Sequence, residues 1–399
     1  MIARKIIPSL RDALADTPVV LVHGARQSGK STLVQLVCSE SHPATYITMD
    51  DATALSAATS NPGGFLAGFN GPVAIDEVQR APELLLAIKS IVDMKRKPGQ
   101  YLLTGSANIL ALPRMSESLA GRMEIIQLWP LSQSEIEASS SSFIDRCFDT
   151  QALPAPARHD DPVARAIGGG DPEAVSRTRL DRRDAWFSSY ITTTVQRDLR
   201  DIANIDGLLV MPRLLKILAS RAGQLLNYAD IATALGIPRT TLQRYVAVLE
   251  AAFLVRPLPA WSRNIGLRLI KSSKMYVTDA GLHAHLLGIT EERIRNDATI
   301  SGPLMETFVF TELLKIASWS AHRPSLSYFR TAAGAEVDLV MERSDGTVVA
   351  IEVKASRSVD ASDFRGLRTL ATHLGRSFHR GIVLYGGTET VSYDRTLTA

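Results

Sequence analysis

The sequence is poor in cysteine and contains no long uncharged apolar run. Among its 399 residues are two cysteines, Cys38 and Cys147, which lie far apart and lack the CxxC or Cys/His spacing of a zinc site. This argues against a disulfide framework or a zinc module and fits a reducing compartment. No stretch approaches the roughly 18 uncharged apolar residues of a membrane helix, and the first residues, MIARKIIPSLRDAL, lack the apolar segment of a secretion signal. We expect a cytoplasmic protein that does not enter a membrane.

The chain also carries little net charge. Its formal charge is +3 and its pI is near 8.8, so a nucleic-acid surface would have to be a local patch. Hydrophobic residues make up 45% of the chain and charged residues 21%, which is ordinary globular composition. The length predicts two or three domains.

A phosphate-binding loop follows the first apolar strand. Residues 17–23 (TPVVLVH) read as a strand buried on both faces of a parallel sheet, and GARQSGKS directly after them fits G-x-x-x-x-G-K-[ST]. In such a loop main-chain N–H groups cradle phosphate oxygens, Lys30 reaches the β- and γ-phosphates of ATP, and Ser31 binds Mg²⁺. The predicted nucleotide-binding residues of this segment are Gly24, Ala25, Arg26, Gln27, Ser28, Gly29, Lys30, Ser31 and Thr32.

Two carboxylates end another predicted strand, residues 72–77 (PVAIDE). Asp76 is placed to position Mg²⁺ and Glu77 to activate the attacking water. Thr104 and Ser106 end the strand candidate 100–106, where a hydroxyl can sense the γ-phosphate. With residues 44–50 and 123–128, five strands alternate with helical stretches and predict an α/β fold with a P-loop NTPase parallel sheet.

These segments resemble the AAA+ class of P-loop ATPases, and more narrowly the bacterial and archaeal ATPases that carry a C-terminal domain of unknown function. The similarity rests on GARQSGKSTL, the IDE strand end, LLTGS, SLAGRMEIIQLWPLS, AIGGGDPEAV and DAWFSSYITTTVQRDL, and it runs from about Arg4 almost to the C-terminus. The resemblance implies ATP hydrolysis, and in such relatives an arginine from a neighbouring subunit often completes the site, so a homo-oligomer would be a ring if an arginine of this chain acts across subunits. Arg122 is the candidate for this role, and a surface salt bridge is the alternative.

A helix-turn-helix is predicted within residues 226–255. Asn227 can cap a helix over residues 228–235, Gly236 can end it in the left-handed conformation, and a second helix begins near Pro238 or Arg239. From Arg239 to Lys274 there are seven cations and one acid, Glu250, which favours DNA contact. Such modules also dock proteins, and this alternative stays open. The candidate DNA-binding residues are Arg239, Thr240, Thr241, Gln243 and Arg244.

A hairpin near the C-terminus carries a second group of acidic residues. If Ser344, Asp345 and Gly346 form its loop, residues whose numbers sum to 690 lie opposite one another. Asp338 then faces Glu352 and Glu336 faces Lys354, all on one face of the sheet. Two carboxylates about 5 Å apart can share Mg²⁺, and Lys354 can stabilise charge on an attacked phosphate. The opposite face, with Val337, Leu339, Ile351 and Val353, is apolar and is expected to pack on a helix.

The hairpin and the helix before it together resemble the PD-(D/E)xK nuclease superfamily, with archaeal junction-resolving enzymes nearest in pattern. The matching residues are Glu306 on a helix that starts at Ser301, Asp338 on a strand, and Glu352-x-Lys354. The resemblance implies Glu306, Asp338 and Glu352 as metal ligands and Lys354 as a catalytic residue. Because members of the superfamily often keep the fold and lose cleavage, the acidic residues can equally be solvated ends of an edge hairpin.

The predicted domains are an ATPase core (residues 1–138), a linker and helical lid (139–222), a winged helix (223–290) and a small α/β nuclease-like domain (291–399). The preferred hypothesis is an ATP-hydrolysing protein that binds and processes DNA, possibly branched. The alternative is an ATP-dependent switch that docks a protein partner and carries an inactive nuclease-like domain.

Overall fold

The computed structural model describes residues 2–106, 119–149, 161–194, 209–264, 266, 268 and 272–399. Within these ranges the chain forms two compact units. The first contains residues 2–131 and 251–253, and the second contains residues 132–194, 209–250 and 254–399. The second unit covers most of what the sequence divides into lid, winged helix and nuclease-like domain, and that division remains a prediction.

A five-stranded parallel sheet forms the core of the first unit. Its order is β2-β3-β4-β1-β5, so β4 lies between the strand that precedes the phosphate loop and the strand that ends in Asp76. Every residue of β1, β3 and β4 is buried, which explains their apolar and β-branched composition. The sheet confirms the predicted P-loop NTPase fold. Its strands are β1 (Val19–His23), β2 (Thr45–Thr48), β3 (Val73–Asp76), β4 (Tyr101–Gly105) and β5 (Met123–Gln127).

Helices with clear start signals accompany this sheet. The side chain of Asp51 accepts a hydrogen bond from the N–H of Ala54 (2.8 Å) and starts one helix, and Asn61 accepts one from the N–H of Gly64 (2.9 Å) and starts the next. The helices are α1 (Ile7–Asp16), α2 (Lys30–Glu40), α3 (Ala52–Ser60), α4 (Pro62–Ala67) and α5 (Leu84–Met94), and a 3₁₀ turn covers Val78–Arg80.

Helices make up the first part of the second unit. The predicted helical lid contains α10 and α11 in its described part, while residues 195–208 lie outside the described ranges. The helices of this part are α6 (Gln133–Ile136), α7 (Phe143–Phe148), α8 (Pro162–Gly168), α9 (Pro172–Val175), α10 (Leu180–Thr193), α11 (Met211–Ser220), α12 (Tyr228–Leu235), α13 (Arg239–Ala251), α14 (Ala280–Leu287), α15 (Glu291–Asn296) and α16 (Ser301–Ala317).

The predicted bounds of the helix over residues 228–235 and the predicted start of the helix after it agree with the structure. Asn227 accepts hydrogen bonds from the first N–H groups of α12, and Gly236 ends the helix with φ of 66°, in the left-handed region. The second helix, α13, begins at Arg239. It is followed by an antiparallel pair of strands, β6 (Val255–Leu258) and β7 (Lys274–Val277).

A second five-stranded sheet, in the order β12-β11-β10-β9-β8, contains the predicted hairpin. In the ladder between β9 and β10, Glu342 pairs with Val348 and Leu339 with Ile351, which confirms the predicted register. Both faces are buried, against α16 on one side and α17 on the other, whereas the sequence predicted one polar face. The elements are β8 (Ser325–Arg330), β9 (Glu336–Glu342), β10 (Val348–Val353), α17 (Arg365–Leu374), β11 (Phe378–Leu384) and β12 (Leu397–Thr398).

Within the described ranges, we find no helix that combines the length and the apolar character needed to span a bilayer.

Two glycines in helices of the second unit predict opposite effects of the same substitution. A Cβ atom at Gly366, in α17, would lie 1.8 Å from the main-chain oxygen of Glu336, whereas a Cβ atom at Gly302, in α16, would meet nothing within 4 Å. We expect Gly366→Ala to destabilise the protein by about 1–3 kcal/mol because α17 must move off β9. Gly302→Ala should be neutral or stabilising by up to about 1 kcal/mol. Urea unfolding of both variants tests this, and equal effects would contradict the packing described.

Burial of His283 predicts a pH dependence of stability. This side chain in α14 is fully buried, and the burial lowers the pKa of His283 to about 4, although the main chain of Ala219 acts in the opposite direction. The unfolded chain then binds a proton more readily, so stability is lost as the pH falls from about 6.5 through 4, by on the order of 3 kcal/mol. His283→Phe should flatten the stability profile between pH 4 and 6.5 relative to the wild type. Replacing the exposed His373 by glutamine is the control and should leave the profile unchanged.

Candidate functional site

Lys30 and the main chain of the phosphate loop meet at the carboxyl end of β1. The Lys30 side chain is buried, and its Nζ donates to the main-chain oxygens of Gly24 (3.1 Å) and Ala25 (2.8 Å). The ammonium group is therefore held within the turn of the loop. Of the other predicted residues in this segment, Ser28 is buried, Arg26 and Ser31 are partly exposed, and Gln27 and Thr32 are exposed.

Close approach of the backbone fixes the conformation of this loop. A Cβ atom at Gly24 would lie 2.1 Å from the main-chain oxygen of Leu128, so only glycine fits there. Gly29 has φ of +93°, and Gln27 also lies in the left-handed region. The motif thus requires glycine for two different reasons. Gly24 lies in tight contact with a main-chain oxygen, and Gly29 has a left-handed backbone before Lys30.

Arg4 is a further contact of the loop that the sequence analysis did not single out. Its guanidinium group donates to the main-chain oxygen of Ser28 (2.9 Å) and to that of Trp129 (2.6 Å). The segment before α1 therefore ties the phosphate loop to the residues that follow β5. No motif marks this arginine, since its role depends on a contact across 24 residues of sequence.

Three hydroxyl groups converge on Asp76. Its carboxylate accepts hydrogen bonds from Ser31 (2.9 Å), Tyr46 (2.9 Å) and Thr104 (2.5 Å). Because β4 lies between β1 and β3, Thr104 reaches Asp76 from the neighbouring strand end. Tyr46 was not predicted as a site residue; burial and the Asp76 charge raise the pKa of its hydroxyl, which keeps it a hydrogen-bond donor.

Glu77 follows Asp76 in a strained conformation with φ of 56°. Its N–H donates to the hydroxyl of Thr104 (3.1 Å), and its carboxylate accepts from the hydroxyl of Ser106 (3.0 Å) and from the amide of Gln79. Gln79 also donates to Ser106 (3.1 Å). The predicted catalytic carboxylate and the predicted sensor serine are thus joined, and Gln79, which the sequence analysis overlooked, completes the group.

Arg122 lies away from these groups. It immediately precedes β5, whose first residue pairs in parallel with Val19 at the start of β1. The phosphate loop follows the opposite end of β1, so Arg122 is separated from its own chain's loop by the length of the strand. Its guanidinium group donates to Asp93 (2.5 Å) in α5. The surface salt bridge that the sequence analysis gave as the alternative role of Arg122 is therefore present.

The predicted DNA-contacting residues lie on one helix, α13. Arg239, Thr240, Gln243 and Arg244 are exposed and Thr241 is partly exposed. The local excess of cations is smaller than the sequence count suggests, because several are paired within the unit. Arg268 donates to both carboxylate oxygens of Glu342, Arg256 lies 3.6 Å from Glu250, and Lys274 is buried. Lys271 falls outside the described residues.

Lys274, counted above as a surface cation, lies inside a group of carboxylates. Its side chain is 3% exposed, and its Nζ lies 2.8 Å from Glu336, 3.0 Å from Glu306 and 3.6 Å from Asp338. The hydroxyl of Tyr276, two residues further along β7, donates to Glu306 (2.5 Å). The strand β7 therefore directs two side chains into the site that the nuclease resemblance assigns to a metal ion.

The charges in this group shift the pKa values of their neighbours. Burial would lower the pKa of Lys274, but Glu306 and Asp338 outweigh it, and the pKa is raised. Burial and the neighbouring Asp338 raise the pKa of Glu306. Lys274 is therefore an ammonium ion at neutral pH, and it is the nearest positive charge to these carboxylates.

Glu352 and Lys354 lie at the other side of Asp338. The ladder ends at Ile351; beyond it the N–H of Val353 donates to the side chain of Asp338 (2.9 Å) rather than to a backbone group. Lys354 is 3.0 Å from Glu352 and 3.7 Å from Asp363. The predicted pairing of Glu336 with Lys354 is replaced by the pairing of Glu336 with Lys274.

The predicted metal ligands Glu306, Asp338 and Glu352 do not form a ligand set in this structure. Among the described residues no group of three or more His, Cys, Asp or Glu side chains is arranged to hold a metal ion. Glu306 and Asp338 share the ammonium of Lys274, and Glu352 is paired with Lys354. The sequence contains one sign that Lys274 and Tyr276 point to the same place. KMYV reads as a short strand, and residues two apart in a strand lie on one face.

Comparison with protein-family models gives three matches. A model described as an AAA domain matches residues 16–137. Two models described as domains of unknown function follow it, DUF8612 at residues 160–293 and DUF4143 at residues 301–399.

Curated proteins and solved structures give further matches. Uncharacterized proteins of Mycobacterium tuberculosis and Mycobacterium bovis are each 33% identical to this chain over 392 residues, which is 98% of this chain and 81% of theirs. Among solved structures, the Thermotoga maritima RuvB Holliday junction branch migration motor matches at 19% identity, with a TM-score of 0.32, over 65% of this chain and 90% of that one.

Proposed function

The chain belongs to the same family as the two mycobacterial proteins, and from that premise we propose that it binds and hydrolyses ATP and couples this reaction to the binding of DNA. The observation that carries the proposal is the convergence of Ser31 and Thr104 on Asp76 at one edge of the parallel sheet, next to Glu77. The Lys30 ammonium is held within the phosphate loop that ends at Ser31.

Each of these groups has a role in phosphoryl transfer. The N–H groups of the loop and the Lys30 ammonium bind the phosphates, and Glu77 orients the attacking water. The oxygens of Ser31 and Asp76 suit Mg²⁺, and they already lie 2.9 Å apart. When bound there, Mg²⁺ would neutralise charge on the β- and γ-phosphates. Ser106 and Gln79 hold the Glu77 carboxylate, so they position the catalytic base.

We propose that Arg122 acts on a neighbouring subunit. Its place before β5 puts it at the edge opposite its own phosphate loop, so an arginine contact with the bound phosphate would require a second chain in a ring. Its partner Asp93 would then have to release it.

DNA contact is proposed for the outward face of α13. We interpret α12, α13 and the strands β6 and β7 as a winged helix, and the second sheet with α16 and α17 as a nuclease-like domain. Arg239, Gln243 and Arg244 project from α13 on the exposed side, where they can contact phosphates and base edges.

A nucleotide-controlled protein switch is the second candidate. Several of the local cations are paired internally, and a cavity of about 800 Å³ adjoins α13, lined by polar and apolar side chains that include Tyr228, Val246 and Met275. A cavity of this size can enclose a small ligand or a side chain of a partner, whereas a duplex binds along an exposed surface.

Substitutions in the phosphate site test the ATPase. Lys30→Ala should abolish ATP binding and hydrolysis. Glu77→Gln should retain binding but reduce turnover by about 100-fold or more, because the water loses its base. Binding is measured by calorimetry and turnover by phosphate release. The exposed Lys97→Ala is the matched control, and equal loss in all three variants would contradict the assignment.

Substitutions on α13 distinguish the two candidates. Arg239→Ala and Arg244→Ala should each weaken duplex binding, and each should lower the salt dependence of log K by about one unit if it contacts a phosphate. Arg179→Ala removes an exposed cation from α10's N-terminal end and should have no effect. Fluorescence anisotropy with duplex, single-stranded and four-way DNA is the measurement. Unchanged affinity in the α13 variants would favour the protein switch.

A further inference from the structure

We propose that Lys274 takes the place of a divalent cation in the C-terminal sheet domain, so that Glu306, Glu336 and Asp338 bind an ammonium of the same chain and not a metal ion. The inference does not depend on ATP hydrolysis or on DNA binding by α13. It concerns what the nuclease-like carboxylates do in this protein.

The distances support a permanent counter-ion. The Lys274 ammonium contacts Glu336 and Glu306 at 2.8 and 3.0 Å and lies 3.6 Å from Asp338. A divalent cation bound by the same oxygens would lie within about 4 Å of the ammonium, where two positive charges repel strongly away from bulk water. The ammonium and the metal ion are therefore alternatives at this place.

Neighbouring residues contact the Lys274 ammonium or its partner Glu306. The hydroxyl of Tyr276 donates to the Glu306 oxygen that Lys274 contacts. The ammonium also lies over the ring of Tyr328, 5.7 Å from its centroid. A Cβ atom at Gly223 would lie 2.7 Å from the Glu306 carboxylate, so glycine leaves room for it.

The backbone of Lys274 is held on both sides, which fixes the point from which the side chain enters the group of carboxylates. In β7 it pairs with Leu258 of β6, and on its other side it forms a bridge with Leu225. The main-chain oxygen of the adjacent Ser273 accepts a hydrogen bond from the N–H of Leu226 (3.1 Å). Withdrawal of the ammonium by a change of rotamer would break its contacts with Glu306 and Glu336.

The position of Lys274 bears on the activity of the C-terminal sheet domain. The strand β7, which follows the helix-turn-helix, supplies an ammonium that offsets part of the charge of the C-terminal carboxylates. Metal-dependent cleavage at these carboxylates is then not the activity of this domain.

The experiment is a comparison of Mn²⁺ effects on the full chain without nucleotide. Thermal unfolding and Mn²⁺ binding by electron paramagnetic resonance are measured for the wild type, Asp338→Asn, Lys274→Met, Lys274→Arg and the double variant Lys274→Met/Asp338→Asn. Methionine is one atom shorter than lysine and removes its charge, while arginine keeps the charge. The Asp338→Asn changes separate this site from Mn²⁺ bound near Asp76.

We expect the wild type and Asp338→Asn to respond equally to Mn²⁺. Lys274→Met should lower the melting temperature by about 5 °C or more. It should also gain an additional Mn²⁺ ion that raises the melting temperature again, with affinity about tenfold or more above the wild type at this site. The double variant should lose the gain, and Lys274→Arg should behave as the wild type.

Two results would overturn the inference. One is a Mn²⁺ response of the wild type that Asp338→Asn removes, which would show that the native carboxylates bind a metal ion. The other is a folded Lys274→Met protein that gains no Mn²⁺, which would reduce Lys274 to an ordinary internal ion pair. If Lys274→Met does not fold, the comparison of the wild type with Asp338→Asn decides alone.

Discussion

The parallel order of the first sheet is the constraint on which the candidate ATP site depends. Parallel strands end at the same edge, and the position of β4 between β1 and β3 brings Thr104 against Asp76, which Ser31 reaches from the phosphate loop. Three hydroxyl groups donate hydrogen bonds to this carboxylate. Its oxygens lie at the place where the motif requires Mg²⁺.

In the second unit, by contrast, the carboxylates contact lysine side chains of the same chain. Glu306, Glu336 and Asp338 surround a buried ammonium, and Glu352 is paired with Lys354. Two sites that look alike in sequence, each a set of acidic residues near a lysine, thus differ in chemistry. At the phosphate loop Lys30 contacts main-chain carbonyls, and hydroxyl groups contact the Asp76 carboxylate. At the C-terminal sheet Lys274 contacts the carboxylates themselves.

Structural features that depend on residues close together in the sequence were predicted correctly. The cap at Asn227, the left-handed Gly236 and the three-residue hairpin loop depend on neighbours within a few residues, and the structure agrees with them. The environment of Lys274 depends on a helix and a strand that lie 32 and 62 residues further along the chain, at Glu306 and Glu336. Counting charges in a window cannot detect such pairing, which is why the basic stretch after Arg239 overstated the exposed charge. Tyr46 and Arg4 were missed for the same reason.

The central claim is that the loop before α2 and the end of β3 bind one nucleotide together. Hydrogen–deuterium exchange of the full chain, with and without ATP and Mg²⁺, measures this without altering any side chain. The account predicts that exchange slows in residues 24–31 and in residues 76–79 at the same nucleotide concentration. Unchanged exchange in both segments, with ATP present in saturating excess, would contradict it.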